Sequence, residues 1–154
     1  MIITDYYKNI KEELINNELN KRVKNYSINR SDLNTYYNVG RMLSQAGKHY
    51  GEGIINEYSK KLTKELGKGY TATNLKYYRQ FYIFSKSHTL CDKLSWSHYR
   101  TLLSISNDNE IEYYILICSK QNVSVRKLQE KIKNKEYERL PEYTKRKYTN
   151  KKEI

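Results

Sequence analysis

Apolar residues recur every three or four positions along most of the chain, and strict alternation is absent. That spacing predicts amphipathic helices and argues against half-buried strands. Tyr7, Ile10 and Leu14 mark a first helix over about residues 5–25, and Leu33, Tyr37, Gly40 and Leu43 a second over about 31–46. Gly47, Gly51 and Gly53 are expected to break the chain after it. Ile54, Ile55, Tyr58, Leu62 and Leu66 form the stripe of a third helix, with Gly67 placed as its C-terminal cap. Thr71 or Thr73 can cap a fourth helix through Leu75, Tyr78, Phe81 and Tyr82, followed by a loop over about 86–94.

Ser95 is placed to cap a short fifth helix holding Tyr99, Leu102 and Leu103. Asp108 or Asn109 opens a sixth with Ile111, Tyr114, Ile115 and Cys118, and Ser124 a seventh with Val125, Leu128 and Ile132. Pro141, the one proline, is read as closing the ordered part. The expected architecture is therefore all-α: a compact bundle of about six to seven helices over residues 1–141, with a flexible basic tail over 142–154. Lys145, Arg146, Lys147, Lys151 and Lys152 make that tail basic.

Composition changes the picture in two respects. The 17 tyrosines far outnumber the two phenylalanines and one tryptophan in 154 residues. Tyrosine buries its ring and keeps its hydroxyl near water, which predicts a thin core with a polar rim. The net charge of +12, from 29 Lys and Arg against 17 Asp and Glu, points to a polyanionic partner. Nucleic acid comes first and an anionic membrane surface second. The competing explanation is compositional drift toward Lys and Asn.

Cys91 and Cys118 lack any C-x-x-C spacing, so they are read as buried or half-buried thiols without zinc. No apolar run reaches the length of a membrane span, and Met1-Ile2-Ile3-Thr4-Asp5 is unlike a signal peptide. A cytoplasmic protein is expected, with no membrane partner.

The segment from Gly53 to Lys86 outlines a helix-turn-helix pair around Gly67-Lys68-Gly69-Tyr70-Thr71. Projected at about 100° per residue, Tyr77, Tyr78, Phe81, Tyr82 and Phe84 share an apolar arc. Thr73, Lys76, Arg79 and Gln80 fall opposite, with Ile83 between. These are side-chain types that read base edges and phosphates. Lys60, Lys61 and Lys64 lie off the preceding helix's apolar stripe, and Lys68 extends their row. They are candidate phosphate contacts. An ordinary amphipathic pair with a solvated basic face remains the alternative.

Several stretches resemble the N-terminal domain of the YhcG-like family, long labelled a domain of unknown function. They are Tyr36-Tyr37-Asn38-Val39-Gly40-Arg41, Tyr50-Gly51, Gly69-Tyr70-Thr71-Ala72-Thr73-Asn74-Leu75 and Arg79-Gln80-Phe81-Tyr82. Leu94-Ser95-Trp96-Ser97-His98-Tyr99, the most specific, and Val123-Ser124-Val125-Arg126-Lys127-Leu128 complete the set. The resemblance covers about residues 30–140. It implies a helical, helix-turn-helix-like DNA-binding module, which in the family usually precedes a nuclease domain of the PD-(D/E)xK type. The chain is read as stopping where that domain would begin, so nuclease activity is not expected.

No catalytic, cofactor or metal site is predicted. A metal-dependent nuclease needs several acidic ligands held together. Glu110 and Glu112 flank Ile111 at a spacing that does not face on a helix, so they are read as solvated charges. His49, His88 and His98 lack ligand spacing. Ser97, His98 and Arg100 compose a candidate phosphate contact in the first turn of a helix. The competing reading is a packing cluster, with Trp96 buried, Ser95 capping and His98 bonded to backbone.

Two functions therefore stand side by side. One is a non-catalytic module that binds nucleic acid, DNA before RNA. The other is an interaction or inhibitor protein of phage or mobile-element origin, regulating a nuclease or a guide-RNA complex. A purely electrostatic membrane contact through the tail ranks third.

Overall fold

The computed structural model describes residues 5–22, 28–91 and 93–150, which carry eight helices and no strand. They are α1 (Tyr6–Arg22), α2 (Ile28–Tyr50), α3 (Ile54–Leu66), α4 (Ala72–Ser87), α5 (Trp96–Leu102), α6 (Asp108–Gln121), α7 (Val125–Lys133) and α8 (Glu142–Asn150). The chain divides between Ser87 and His88 into two compact units.

In the first unit α2 is the central element, and α1 and α4 pack along it. Their shared core contains Ile10, Leu14, Val39, Leu43, Leu75 and Phe81, all buried. At the α2–α4 seam the rings of Tyr36 and Tyr78 stack at 4.3 Å with 7° between their planes. The Tyr36 hydroxyl is pushed up to about 12, first by burial and then by the Asp32 carboxylate. Gly40 sits at the same seam. An added Cβ there would lie 2.0 Å from the Tyr78 carbonyl oxygen, so only hydrogen fits between these backbones. Asn17 is buried between α1 and α2, where its amide donates to Asp32 and accepts from the Ser31 hydroxyl.

The second unit is built on buried Leu94, Tyr99, Leu102, Ile111, Tyr114 and Leu128. Tyr99 and Tyr114 are fully buried, contrary to the expectation that tyrosines would keep their hydroxyls at the rim. Backbone groups replace water for both. The Tyr99 hydroxyl accepts from the Cys91 N–H at 2.7 Å and donates to the Cys91 carbonyl at 3.0 Å. The Tyr114 hydroxyl accepts from the Tyr137 N–H at 3.3 Å. Cys118 is buried and Cys91 half-buried, and burial pushes the Cys118 thiol up to about 11.

Several boundaries differ from the sequence reading. The predicted end of the first helix at 23–25 lies outside the described residues. Gly47 does not break α2, because its carbonyl accepts from the Gly51 N–H at 2.9 Å and the helix runs on to Tyr50. A glycine inside a helix weakens it without ending it. Thr71, not Thr73, caps α4, its hydroxyl accepting from the Asn74 N–H at 3.1 Å. Asn107, rather than Asp108 or Asn109, caps α6. Ser95 and Ser124 cap α5 and α7 as the sequence indicates.

The largest difference is at the C-terminus. Pro141 does not close the ordered part: its carbonyl accepts from Thr144 and Lys145 at 3.0 and 3.1 Å, and α8 follows it. Proline suits a helix start because its fixed φ is helical and its missing N–H has no partner to lose there. The flexible tail expected over 142–154 is thus helical as far as Asn150, and 151–154 lie outside the described residues.

Glu110 and Glu112 also depart from expectation, since neither is a freely solvated charge. Glu112 lies 2.7 Å from Nδ1 of buried His88, whose Nε2 is 3.3 Å from Asp108. The Glu110 carboxyl is pushed up to about 7, first by desolvation and then by its hydrogen bond and repulsion with Glu138. A carboxyl raised in the folded state contributes stability below its ordinary value of 4.5, and that contribution is lost as pH rises through 7. Glu138→Gln removes the repelling charge. Its melting temperature is expected to fall less than the parent's between about pH 5 and about pH 8. Equal losses in a thermal melt would disprove this coupling.

Candidate nucleic-acid interface

The basic segment is built on the turn between α3 and α4. Gly67 and Gly69 both hold positive φ, at 101° and 104°, where a side chain would be strained. The Gly67 N–H closes α3 onto the Thr63 carbonyl at 3.1 Å. The turn is then pinned from both helices. The Ser59 hydroxyl donates to the Tyr70 carbonyl at 2.7 Å, and the Asn74 amide donates to the Gly69 carbonyl at 3.0 Å. These bonds fix how α4 leaves α3.

The inner face of α4 is Leu75, Tyr78, Phe81 and Phe84, all buried, and Tyr77 and Tyr82 are half-buried. Thr73, Lys76, Gln80 and Ile83 are exposed and follow one another at helical spacing. Arg79 stands apart from them. It is half-buried and ion-paired with Glu52, so it braces α4 against the chain between α2 and α3. Lys60, Lys61, Lys64 and Lys68 are all exposed, and Lys61 lies 3.6 Å from Glu57 one turn earlier. No Asp or Glu occurs within α4.

Ser97, His98 and Arg100 belong to the second unit. Ser97 and Arg100 are exposed and His98 is buried. His98 Nδ1 accepts from the Ser95 N–H at 3.0 Å, so the ring proton sits on Nε2, which donates to the Val123 carbonyl at 2.7 Å. Both ring nitrogens are committed to backbone. The ring thus makes the cap and the backbone bond that the packing reading of this cluster describes. Trp96 beside it is half-buried rather than buried.

Two features escaped the sequence reading. Lys86 places its ammonium 4.4 Å from the centre of the Tyr82 ring, an i, i+4 pair that spacing alone could have flagged. In the second unit, Lys127, Lys131 and Arg139 line a depression of about 510 Å³ with Glu130 and Glu136. The signal for it was Lys127 and Lys131 one turn apart on a helix read only for its apolar stripe. No group of three His, Cys, Asp or Glu among the described residues is arranged to hold a metal ion. No helix among them is long and apolar enough to cross a membrane.

The fold and this site define an all-α protein, strandless among the described residues, with a basic helix pair joined by a pinned glycine turn. The chain belongs to the family of the DUF1016 N-terminal domain, whose model matches residues 9–139. This is the YhcG-like family that the sequence motifs resembled. No curated protein and no solved structure gave a significant match.

Proposed function

We propose that this chain is a non-catalytic module that binds nucleic acid, double-stranded DNA before RNA, through α4 and the lysines of α3 and the turn. The observation that carries the reading is the exposed stripe of α4. It offers Thr73, Lys76 and Gln80 to solvent on a helix without a carboxylate, on a chain of net charge +12. Lys and Thr suit phosphates, and Gln suits an adenine edge in the major groove. Lys60, Lys64 and Lys68 would hold the flanking phosphates. Arg79 already has Glu52 as its partner, so in this reading it supports the helix.

The test is a salt-series titration against duplex DNA, single-stranded DNA and RNA. Affinity for duplex is expected to fall steeply with salt, and the triple variant Lys64→Ala, Lys68→Ala, Lys76→Ala to reduce the logarithmic salt slope by about 2 to 3. All three residues are exposed, so the circular-dichroism spectrum should not change. Equal slopes for parent and variant would sink the assignment of the interface.

A protein partner is the second reading. It is favoured by Ile15 and Leu19, 39% and 56% exposed on α1, beside a cleft of about 510 Å³ that Leu66 and Tyr70 also line. Exposed apolar side chains grouped at a cleft are a feature of interaction surfaces. An inhibitor or regulator of a nuclease or guide-RNA complex would use such a surface. Absence of nucleic-acid affinity, together with salt-insensitive retention of one defined protein, would decide for it.

A further inference from the structure

Apart from the exposed stripe of α4, four tyrosines line a single depression of about 770 Å³ in the first unit: Tyr6, Tyr7, Tyr50 and Tyr58. It forms where the start of α1 meets the end of α2 and the first turns of α3. Tyr7 and Tyr58 have ring centres 5.5 Å apart, tilted by 50°, and Tyr6 meets Tyr50 edge-on at 6.4 Å. Tyr6 and Tyr58 are buried, while Tyr50 is 55% exposed. Asp5 and Glu57 line the same depression. Burial holds the Tyr58 hydroxyl above its ordinary value first, and Tyr50, Asp5, Glu57 and Tyr6 add to it.

The chemistry of this place has to be decided between anion and cation, because two helices begin here. Several of the backbone donors at these two helix starts are already engaged. At α1 the Lys8 N–H donates to the Asp5 carboxylate at 3.0 Å and the Asn9 N–H to the Asp5 carbonyl at 3.1 Å. At α3 the Ile54, Ile55 and Glu57 N–H groups donate to Gly51, Glu52 and Gly53 carbonyls at 3.2, 3.3 and 3.3 Å. The one lysine lining the depression, Lys61, is 3.6 Å from Glu57. It also lies 5.3 Å from the centre of the Tyr7 ring, so a tyrosine here already receives a cation. What the lining offers a ligand is four tyrosine rings, with the carboxylates of Asp5 and Glu57 outnumbering Lys61 by one charge.

We propose that this depression binds a weakly hydrated organic cation, either a quaternary or methylated ammonium or a guanidinium group. Such a cation gives up little hydration on meeting an aromatic face, whereas a compact ammonium or metal ion gives up much. The ring faces supply attraction that a neutral ligand of the same shape does not feel. Asp5 and Glu57 supply a local negative charge on a chain that is otherwise strongly basic. The site shares Lys61 with the lysine row of α3 but no residue with the α4 stripe, and its ligand has the opposite charge to the nucleic acid proposed there.

The experiment is an NMR titration of the full chain at constant ionic strength. The probes are choline chloride, methylguanidinium chloride, potassium chloride and 3,3-dimethyl-1-butanol, the uncharged isostere of choline. Saturable shifts of tyrosine ring signals are expected with choline or methylguanidinium, and which of the two binds tighter identifies the class. The uncharged isostere is expected to bind about tenfold more weakly. Tyr50→Ala is expected to weaken cation binding about fivefold while Tyr50→Phe, which keeps the ring, retains it. Tyr50 is mostly exposed, so an unchanged circular-dichroism spectrum will confirm that both variants fold. The proposal is overturned by equal binding of the isostere, by the same shifts with potassium chloride, by no saturable shift at all, or by Tyr50→Ala binding like the parent.

Discussion

Gly40→Ala is expected to unfold the first unit at a temperature about 10–20 °C below the parent, a loss of about 2–4 kcal/mol. Two effects oppose each other here. Alanine is the better helix former by about 1 kcal/mol, so on propensity alone the substitution would stabilise α2. The added methyl, however, would sit 2.0 Å from the Tyr78 oxygen and 2.7 Å from the Tyr78 carbonyl carbon. These are backbone atoms in the middle of α4, and no rotamer change moves them. The two helices must separate, which also unstacks Tyr36 from Tyr78. The clash therefore outweighs the propensity. Gly47→Ala, in the same helix, supplies the control of opposite sign. Its nearest neighbour is the Glu52 carboxylate oxygen at 3.7 Å, so it is expected to stabilise by about 0.5–1 kcal/mol. Thermal melts of the two variants check both statements, and a neutral Gly40→Ala would show that the α2–α4 distance is not limited by this glycine.

His98→Ala is the second large loss, about 2–4 kcal/mol, and it falls on the second unit. The side chain completes a capping box with Ser95: the Ser95 hydroxyl accepts from the His98 N–H and the ring accepts from the Ser95 N–H. At its far side the ring donates to the Val123 carbonyl at 2.7 Å in a buried setting. Truncation leaves that carbonyl and the Ser95 N–H without their partner, and buried groups left unpaired carry the larger part of the penalty. His98→Gln separates the two contributions. Glutamine at this position of a capping box reaches back to the Ser95 N–H but does not extend to Val123. It is expected to recover about half of the loss. A chemical-denaturation series in which alanine and glutamine behave identically would show that the cap contributes nothing and the Val123 bond everything. A direct phosphate contact, by contrast, would make His98→Ala a loss of DNA affinity without a loss of stability.

These two residues also mark how far the sequence could be read. Gly40 was recognisable as a member of the α2 stripe, since Leu33, Tyr37, Gly40 and Leu43 share helical spacing. Why the stripe holds a glycine was not recognisable, because the reason is a carbonyl 38 residues further along the chain. His98 stands three residues after Ser95, and the local half of its role, the cap, follows from that spacing. Its partner Val123 does not. Arg79 repeats the lesson on the candidate interface. Its angular position on α4 groups it with Lys76 and Gln80, yet its side chain pairs with Glu52, 27 residues earlier. The exposure of the lysines, in contrast, is legible in the sequence, because a long charged side chain off an apolar stripe has nowhere else to go.

The sequence by itself determined the helical class, most helix positions, the serine caps and the solvent face of α3 and α4. Each of these is set by interactions within a few residues, where periodicity and capping chemistry act. Tertiary structure decided which glycine marks a close approach, which tyrosines bury their hydroxyls against backbone, and which acids lose their solvent. It also decided that Pro141 begins a helix, since proline at a helix start and proline beyond a helix end are both permitted by local chemistry. Those outcomes depend on groups far apart in the chain meeting in space, and local spacing carries no record of such meetings.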